Sequence, residues 1–360
     1  MKDKSILIWD YAVDAFVFEN KANGIAVQLY FWALTFISHG WKAFSITTNH
    51  SREKDGIRFL KVKRSKVDLV LEWIKITKVF CRFHPQLVIF RGADRRTFPI
   101  ALLSRLFKIK FVFFAASDVN FVPGKELVHG IKLNRTLYQR SIRHIPYIVV
   151  QNSFQRDTLF TNYNKPSLVL ANIWLNNQVI DFHSKTIDVI WVSNFRRLKR
   201  AEWIVRVAEN NPGYRFAMVG RPSVDIDYYE WVKSQCSLLS NLDFYGPRSF
   251  CETNNLISQS RVLVCTSEFE GFPNTFLQAW AYSVPVVSTV NPSNVISDNN
   301  LGIVVKDCAG LNEAILHLLH DSNDYEGKVQ SINRYFSNNH SADYNYQRLM
   351  SFVQNKPDTL

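Results

Sequence analysis

The chain is 360 residues long, 47% hydrophobic, 14% aromatic and 21% charged: too long for one ordinary hydrophobic core and too apolar for a disordered or fibrous chain. Its five cysteines, at positions 81, 236, 251, 265 and 308, have neither the density of a disulfide framework nor the close pairing of a metal site. The net charge is +12, and residues 1–180 hold 27 Lys/Arg against 12 Asp/Glu whereas residues 181–360 hold 16 against 19, so a basic half that could face an anionic membrane, nucleic acid or an acidic substrate is joined to a nearly neutral one.

The first apolar run, residues 6–9, predicts a buried strand. Lys2, Asp3 and Lys4 ahead of it faintly resemble a secretion signal, but Asp10 and Asp14 interrupt any apolar segment of the required length. No export is expected, and a reducing cytoplasm fits the cysteine usage. A loop ending at Asn23 and Gly24 then leads into a helical pattern over 25–39, whose most apolar stretch is shorter than a membrane span and carries Gln28 and Thr35. This strand-loop-helix unit recurs, with strands predicted at 43–47, 87–90, 111–115 and 147–150 and room for a crossover helix between most of them. After a polar linker near 175–186 the pattern restarts, with strands at 189–192, 215–219, 242–245, 262–265 and 285–288 and helices at 201–209 and 311–319. Strands alternating with helices imply parallel sheets. The expected fold is therefore α/β, two Rossmann-like doubly wound domains facing across a cleft: 1–178, 179–335, and a polar-aromatic helical tail, 336–360, packing back on the first. Ligands bind beyond the carboxyl ends of such strands, so each half is expected to carry a site there.

Two segments carry chemistry. Residues 267–281 run from the strand at 262–265 through a loop into a helix, with Gly271 and Pro273 shaping the turn and Asn274 expected as N-cap. The amides of Asn274, Thr275 and Phe276 would then be open donors, an anion site suited to a diphosphate. Glu270 can accept hydrogen bonds from hydroxyls, and Gln278, two turns later, can bond a vicinal diol. An ordinary strand-turn-helix with two surface polar groups would give the same pattern. The second segment, 191–202, packs Arg196, Arg197, Lys199 and Arg200 within five positions after a strand. Such a cluster repels itself unless solvent or an anion offsets it, and phosphate is the anion expected, with Lys199 as a point charge and Arg196 or Arg197 as a fork.

Together these segments resemble the family 4 glycosyltransferases, retaining enzymes of the two-domain GT-B architecture, over nearly the whole chain. Residues 270–288, E-G-F-P-N-T-F-L-Q-A-W-A-Y-S-V-P-V-V-S, resemble the family's E-x7-E loop and helix with its following P-V-V strand. Residues 194–199, N-F-R-R-L-K, are similar to a variant of the family's cationic motif found in bacterial polysaccharide-assembly members. Asn23 to Gln28 look like the Gly-rich loop before the first helix, and Asp118 stands where many members carry an active-site His. The resemblance implies a nucleotide-sugar donor in the second domain. Lys199 with Asn194, Arg196 or Arg197 would then hold the diphosphate, and Gly271, Phe272, Pro273, Asn274 and Thr275 the phosphate and sugar. Glu270 would hold the sugar hydroxyls and Gln278 the ribose. Catalytic roles fall to Glu270, Lys199 and Asp118, with Asn23 and Gly24 on the acceptor side. It further implies retention of anomeric configuration, no metal and no resident cofactor. The acceptor implied is a glycan or lipid-linked oligosaccharide of cell-surface polysaccharide synthesis. This sequence departs from the family pattern at Gln278, where the second Glu stands, at Asn194 for Arg, and at Asn23 for one loop glycine.

Other readings are weaker. Asp225 and Asp227 form a D-x-D that elsewhere binds a divalent metal, but they fall in an expected surface loop; His84, beside Pro85, is expected to be structural. Residues 66–83 alternate apolar side chains with Lys75, Lys78 and Arg82 as a basic amphipathic helix able to lie on anionic lipid, though an ordinary sheet-covering helix has the same pattern. That adds the inner face of the membrane as a further partner for a cytoplasmic protein. A nucleic-acid-binding protein would need a reader motif, which is missing, so nucleic acid is not expected as a partner. A sugar-nucleotide epimerase or a phosphorylase of the same plan would keep the phosphate site.

Overall fold

The computed structural model describes residues 4–19, 23–63, 69–126, 128, 132–175, 184–270 and 272–355. The chain divides into two compact units, residues 1–175 with 339–360, and residues 176–338. Each is a parallel α/β sheet unit of the Rossmann-like kind expected.

Unit 1 runs β1 (Ser5–Ile8), α1 (Ala12–Glu19), α2 (Gly24–Ser38), β2 (Lys42–Thr47), β3 (Arg52–Lys54), β4 (Ile57–Lys61), α3 (Leu69–Phe83), β5 (Leu87–Arg91), α4 (Thr97–Leu106), β6 (Lys110–Phe114), α5 (Lys132–His144), β7 (Tyr147–Val150), α6 (Ser153–Tyr163) and β8 (Leu168–Val169). The sheet order is β3-β4-β2-β1-β5-β6-β7-β8, parallel except for the β3-β4 hairpin. Its central strands are apolar on both faces because helices cover both. Leu7, Val88, Phe90, Phe111 and Phe113 face a core beneath α3, α4 and α5, while Trp32 of α2 packs on Phe114 from the other side. The hairpin escapes a search for crossover units. It is nonetheless written in the sequence as Asp55-Gly56, both at positive φ as a two-residue turn requires.

Unit 2 runs β9 (Ile187–Val192), α7 (Glu202–Asn210), β10 (Phe216–Val219), α8 (Ile226–Cys236), β11 (Leu242–Gly246), α9 (Phe250–Ser258), β12 (Ser260–Cys265), α10 (Asn274–Ala281), β13 (Val286–Ser288), α11 (Val295–Asp298), β14 (Gly302–Val304), α12 (Cys308–His320) and α13 (Ser322–Asn339). Its all-parallel order is β11-β10-β9-β12-β13-β14. The chain moves outward from β9 to β11 and then returns to β12 on the opposite side of β9. That reversal opens a crevice at the carboxyl ends of β9 and β12, where ligands of such sheets bind. The matching reversal in unit 1 lies between β1 and β5.

The helical tail breaks in two. α13 belongs to unit 2, where the Tyr325 hydroxyl donates to the Arg261 carbonyl at 3.0 Å, and α14 (Ala342–Asn355) returns to unit 1. Asn345 secures the break by donating to the carbonyls of Asn339 and Ser341. α14 covers unit 1 through Tyr346, whose hydroxyl accepts from Trp41 Nε1 at 2.9 Å, and through Arg348 and Val353, which reach the Val169 carbonyl and Lys110. Among the described residues no helix is long and apolar enough to cross a membrane.

His340, at the break, is 1% exposed and its Nδ1 lies 2.7 Å from the Asn172 carbonyl. Burial pushes its pKa down to about 4, only partly opposed by that hydrogen bond. The folded chain therefore refuses a proton that the unfolded chain accepts below its ordinary 6.5. Stability present above pH 6.5 is lost as pH falls from there toward 4, by up to about 3 kcal/mol. His340→Gln should flatten this part of the stability profile, measured by urea unfolding at pH 4.5, 5.5 and 7; an unchanged slope would place the acid sensitivity elsewhere.

Candidate functional site

At the crevice of unit 2, two loops are bonded side by side. The loop leaving β9 is anchored by Phe195, fully buried against Trp191, Tyr229 and Phe244 at ring-centroid distances of 5.0–5.3 Å. It continues through a single 3₁₀ turn, Arg197–Lys199, to Arg200 in the left-handed conformation. The loop leaving β12 bonds along this turn. The Glu268 amide donates to the Leu198 carbonyl at 2.9 Å, Arg200 Nε donates to the Thr266 carbonyl at 2.7 Å, and the Thr266 hydroxyl donates to the Lys199 carbonyl while accepting from Trp191 Nε1. Lys199 Nζ is consequently ion-paired with Glu270 Oε1, which also accepts from the Ser267 hydroxyl at 3.0 Å. With side chains 14% and 24% exposed, the pair is shielded enough for its charges to matter and open enough for a ligand to reach.

The other cations of the cluster diverge from this pair. Arg197 Nε donates to Asp225 at 2.7 Å and its guanidinium lies 5.1 Å from the centre of the Tyr228 ring. Arg196 is exposed and bonds Ser223, and Arg200 lies over Trp203. Asn194 is exposed and its carbonyl accepts from the Arg196 amide. Asp225 is the N-cap of α8: the Tyr228 amide holds its carboxyl below the usual range, desolvation opposes it, and Arg197 adds to the lowering. The D-x-D is thus a helix cap with an arginine partner.

Glu270 leads toward α10, where the expected cap needs correction. Pro273 is the N-cap and Asn274 the first helical residue, and the Phe276 amide is turned onto the Pro273 carbonyl at 3.1 Å. Proline suits this boundary because its fixed φ starts the turn. Asn274 is exposed, Thr275 half-buried, and Phe272 packs edge-on against Phe276 and Trp280. Gly271 lies outside the described residues. Gln278 is 7% exposed and donates from Nε2 to Asn254 of α9 at 2.8 Å, so its amide joins two helices. Thr266 and Ser267, which set Lys199 and Glu270 in place, received no role from the sequence; the available signal was two hydroxyl residues closing an otherwise apolar strand.

In unit 1 the Asn23 side chain caps α2 by accepting from the Ala26 amide at 2.8 Å, and Gly24, exposed, is the first helical residue. Asp118 opens a 3₁₀ turn after β6, and its Oδ1 accepts from Asn152 Nδ2 at 3.1 Å and from Gln155 Nε2 at 2.8 Å. The carboxylate is therefore fixed at the carboxyl end of the sheet.

Residues 186–321 match the family described as Glycosyl transferases group 1. An uncharacterized glycosyltransferase of Methanocaldococcus jannaschii is 23% identical over 242 residues, 60% of this chain; the match spans only 58% of that relative's length. Among solved structures, sucrose-phosphate synthase from Thermosynechococcus elongatus superposes with a TM-score of 0.72 at 12% identity, covering 98% of this chain and 99% of its own. A putative UDP-N-acetylglucosamine 2-epimerase from Listeria monocytogenes gives 0.67 at 12% identity, covering 98% and 96%. The family match supports a glycosyltransferase, and the structural likenesses show the fold.

Gly220 follows β10 and permits the loop contact at β9. A Cβ there would stand 1.8 Å from the Ser193 carbonyl oxygen and 3.1 Å from the Phe195 ring, whereas one at Gly213 would meet nothing within 4 Å. Gly220→Ala should cost about 2–3 kcal/mol or more, and Gly213→Ala should stay within about 0.5 kcal/mol, by denaturant unfolding. Equal losses would show that the segment leaving β10 does not lie close against the loop leaving β9.

Proposed function

We propose that the chain is a retaining glycosyltransferase that moves a sugar from a nucleoside diphosphate to a glycan or lipid-linked acceptor in bacterial cell-surface polysaccharide synthesis. The observation that carries this reading is the Lys199–Glu270 pair at the topological reversal of unit 2, beside the start of α10. Breaking the bond from an anomeric carbon to a diphosphate leaves the electron pair on the phosphate oxygen and positive character on the sugar. Fixed positive charge beside that oxygen lowers the barrier. Lys199 and the first amides of α10 supply it in this reading, while Glu270, a hydrogen-bond acceptor, addresses the sugar hydroxyls. Before the donor arrives, Glu270 neutralises Lys199. A diphosphate carries more charge than one carboxylate and competes for the ammonium, releasing Glu270 toward the sugar.

Gln278, committed to Asn254, would reach a ribose only by exchanging that partner. Arg196 is better disposed than Arg197 to add a second cation, since its neutral serine partner is easily given up and an aspartate is not. Asp118 remains the acceptor-side carboxylate, positioned by two amides to accept from an incoming hydroxyl. Retention by same-face attack, aided by the departing phosphate oxygen and needing no metal, follows from the family resemblance. The membrane is proposed as a working surface because α3 exposes Leu71 and Ile74 beside Lys75 and Lys78 on the basic unit. A cytoplasmic protein resting on the inner leaflet fits that reading.

Lys199→Ala should weaken UDP or GDP binding about 10- to 100-fold, the worth of a charge-assisted bond, read by calorimetry; undiminished affinity would put the diphosphate elsewhere. Glu270→Gln should keep or tighten nucleoside diphosphate binding while lowering sugar transfer. Transfer of labelled sugar to an acceptor extract, unaffected by EDTA, is expected, and ring isomerisation of the donor alone would favour the epimerase. Co-sedimentation with anionic vesicles should fall when Lys75 and Lys78 are changed to Glu, and indifference to both lipid charge and these changes would remove the membrane from the account.

A further inference from the structure

Arg91, the last residue of β5, stands beside the strand reversal of unit 1 and is 6% exposed. Alternation along the strand assigns Phe90 to the core under α3–α5 and Arg91 to the opposite face, the side of α2. There the guanidinium meets almost nothing that can balance it. Nη2 donates to Asn172 Oδ1 at 2.7 Å, Nε is buried with no acceptor, and among the described residues no carboxylate pairs with it. Among the described residues its acceptor is also shared, because Gln151 Nε2 donates to the same Asn172 oxygen at 3.1 Å.

This is a donor-rich, acceptor-poor cluster around a buried cation. Burying an unpaired guanidinium is expensive, and the cost is felt here as a pKa drawn down to about 10 by desolvation alone. Structural arginines in this chain are treated differently: Arg52 grips buried Asp14, and Arg261 grips Asp188. Arg91 lies at the carboxyl end of its strand, where a ligand would bind, and half-buried Gln151 and Asn172 give the cluster a route to solvent. The network continues toward the acceptor-side carboxylate, since the Gln151 amide donates to Gln155 Oε1 and Gln155 Nε2 donates to Asp118.

We infer that Arg91, with Gln151 and Asn172, forms an anion-recognition subsite in unit 1 that takes a phosphate or carboxylate group carried by the acceptor. The inference rests on the reading of unit 1 as the acceptor domain and narrows it to an acidic acceptor, whose oxyanion completes the bonds that the guanidinium leaves open.

The test uses the full chain carrying Lys199→Ala, so that a phosphate held in unit 2 does not contribute, at fixed ionic strength. Inorganic phosphate, glucuronate and glucose are the probes. Phosphate or glucuronate, whichever group the acceptor bears, should raise Tm by about 2–4 °C at tens of millimolar, while neutral glucose does nothing. Arg91→Met should abolish the shift and leave ligand-free Tm unchanged or higher, since it removes an uncompensated charge. Asn172→Asp, which supplies a permanent counter-ion, should abolish the shift independently. A response to phosphate alone identifies a phosphorylated acceptor, and to glucuronate alone a uronate. No response to either anion, a shift that survives both substitutions, an equal response to glucose, or a strongly destabilised Arg91→Met overturns the subsite. UDP binding by the chain with Lys199 intact tests the donor reading separately, so the two can fail independently.

Discussion

The arrangement of unit 2 depends on one constraint: the segments leaving β9 and β12 must run close enough together for an ammonium on one to meet a carboxylate on the other. Backbone bonds from Glu268 to Leu198 and through Thr266 to Lys199 set that separation. Phe195, sunk in the aromatic core, fixes the near end, and Gly220, where no side chain fits, lets β10 approach from the other side. Charge alone could not achieve this. A partly exposed lysine and glutamate held by nothing else attract weakly, and their pairing persists because the scaffold has already met the entropic cost of bringing them together.

Much of this was legible in the sequence, for reasons that can be named. The buried strands announce themselves because parallel strands covered on both faces are written as short apolar runs, and β5, β6, β9 and β12 all are. Lys199 and Glu270 could be singled out by type and place. Their pairing could not, because it rests on Thr266 and Ser267, whose hydroxyls are ordinary in any loop until their partners are known. Propensity points to Asn274 as the cap of α10, asparagine being a better cap than proline, whereas the backbone places Pro273 there. Arg197 looked equivalent to Lys199 in a run of cations, yet Asp225, 28 positions away, claims it. Long-range pairing of this kind leaves no local trace.

Two cations, one in each unit, are compensated in opposite ways. In unit 2 Lys199 carries its own counter-ion, Glu270. In unit 1 Arg91 has no carboxylate partner among the described residues, and its burial is a standing cost.

The break between α13 and α14 has a consequence for how the molecule is made. Unit 2 is one unbroken stretch of chain, while unit 1 is assembled from the two ends. During synthesis the second unit can therefore finish before the first, whose sheet waits without the cover that α14 gives Trp41, Tyr147 and Val169 until that helix leaves the ribosome. A nascent chain stalled before Ala342 would carry a complete unit 2 and an unfinished unit 1 with a bare apolar flank, the kind of surface on which chaperones act.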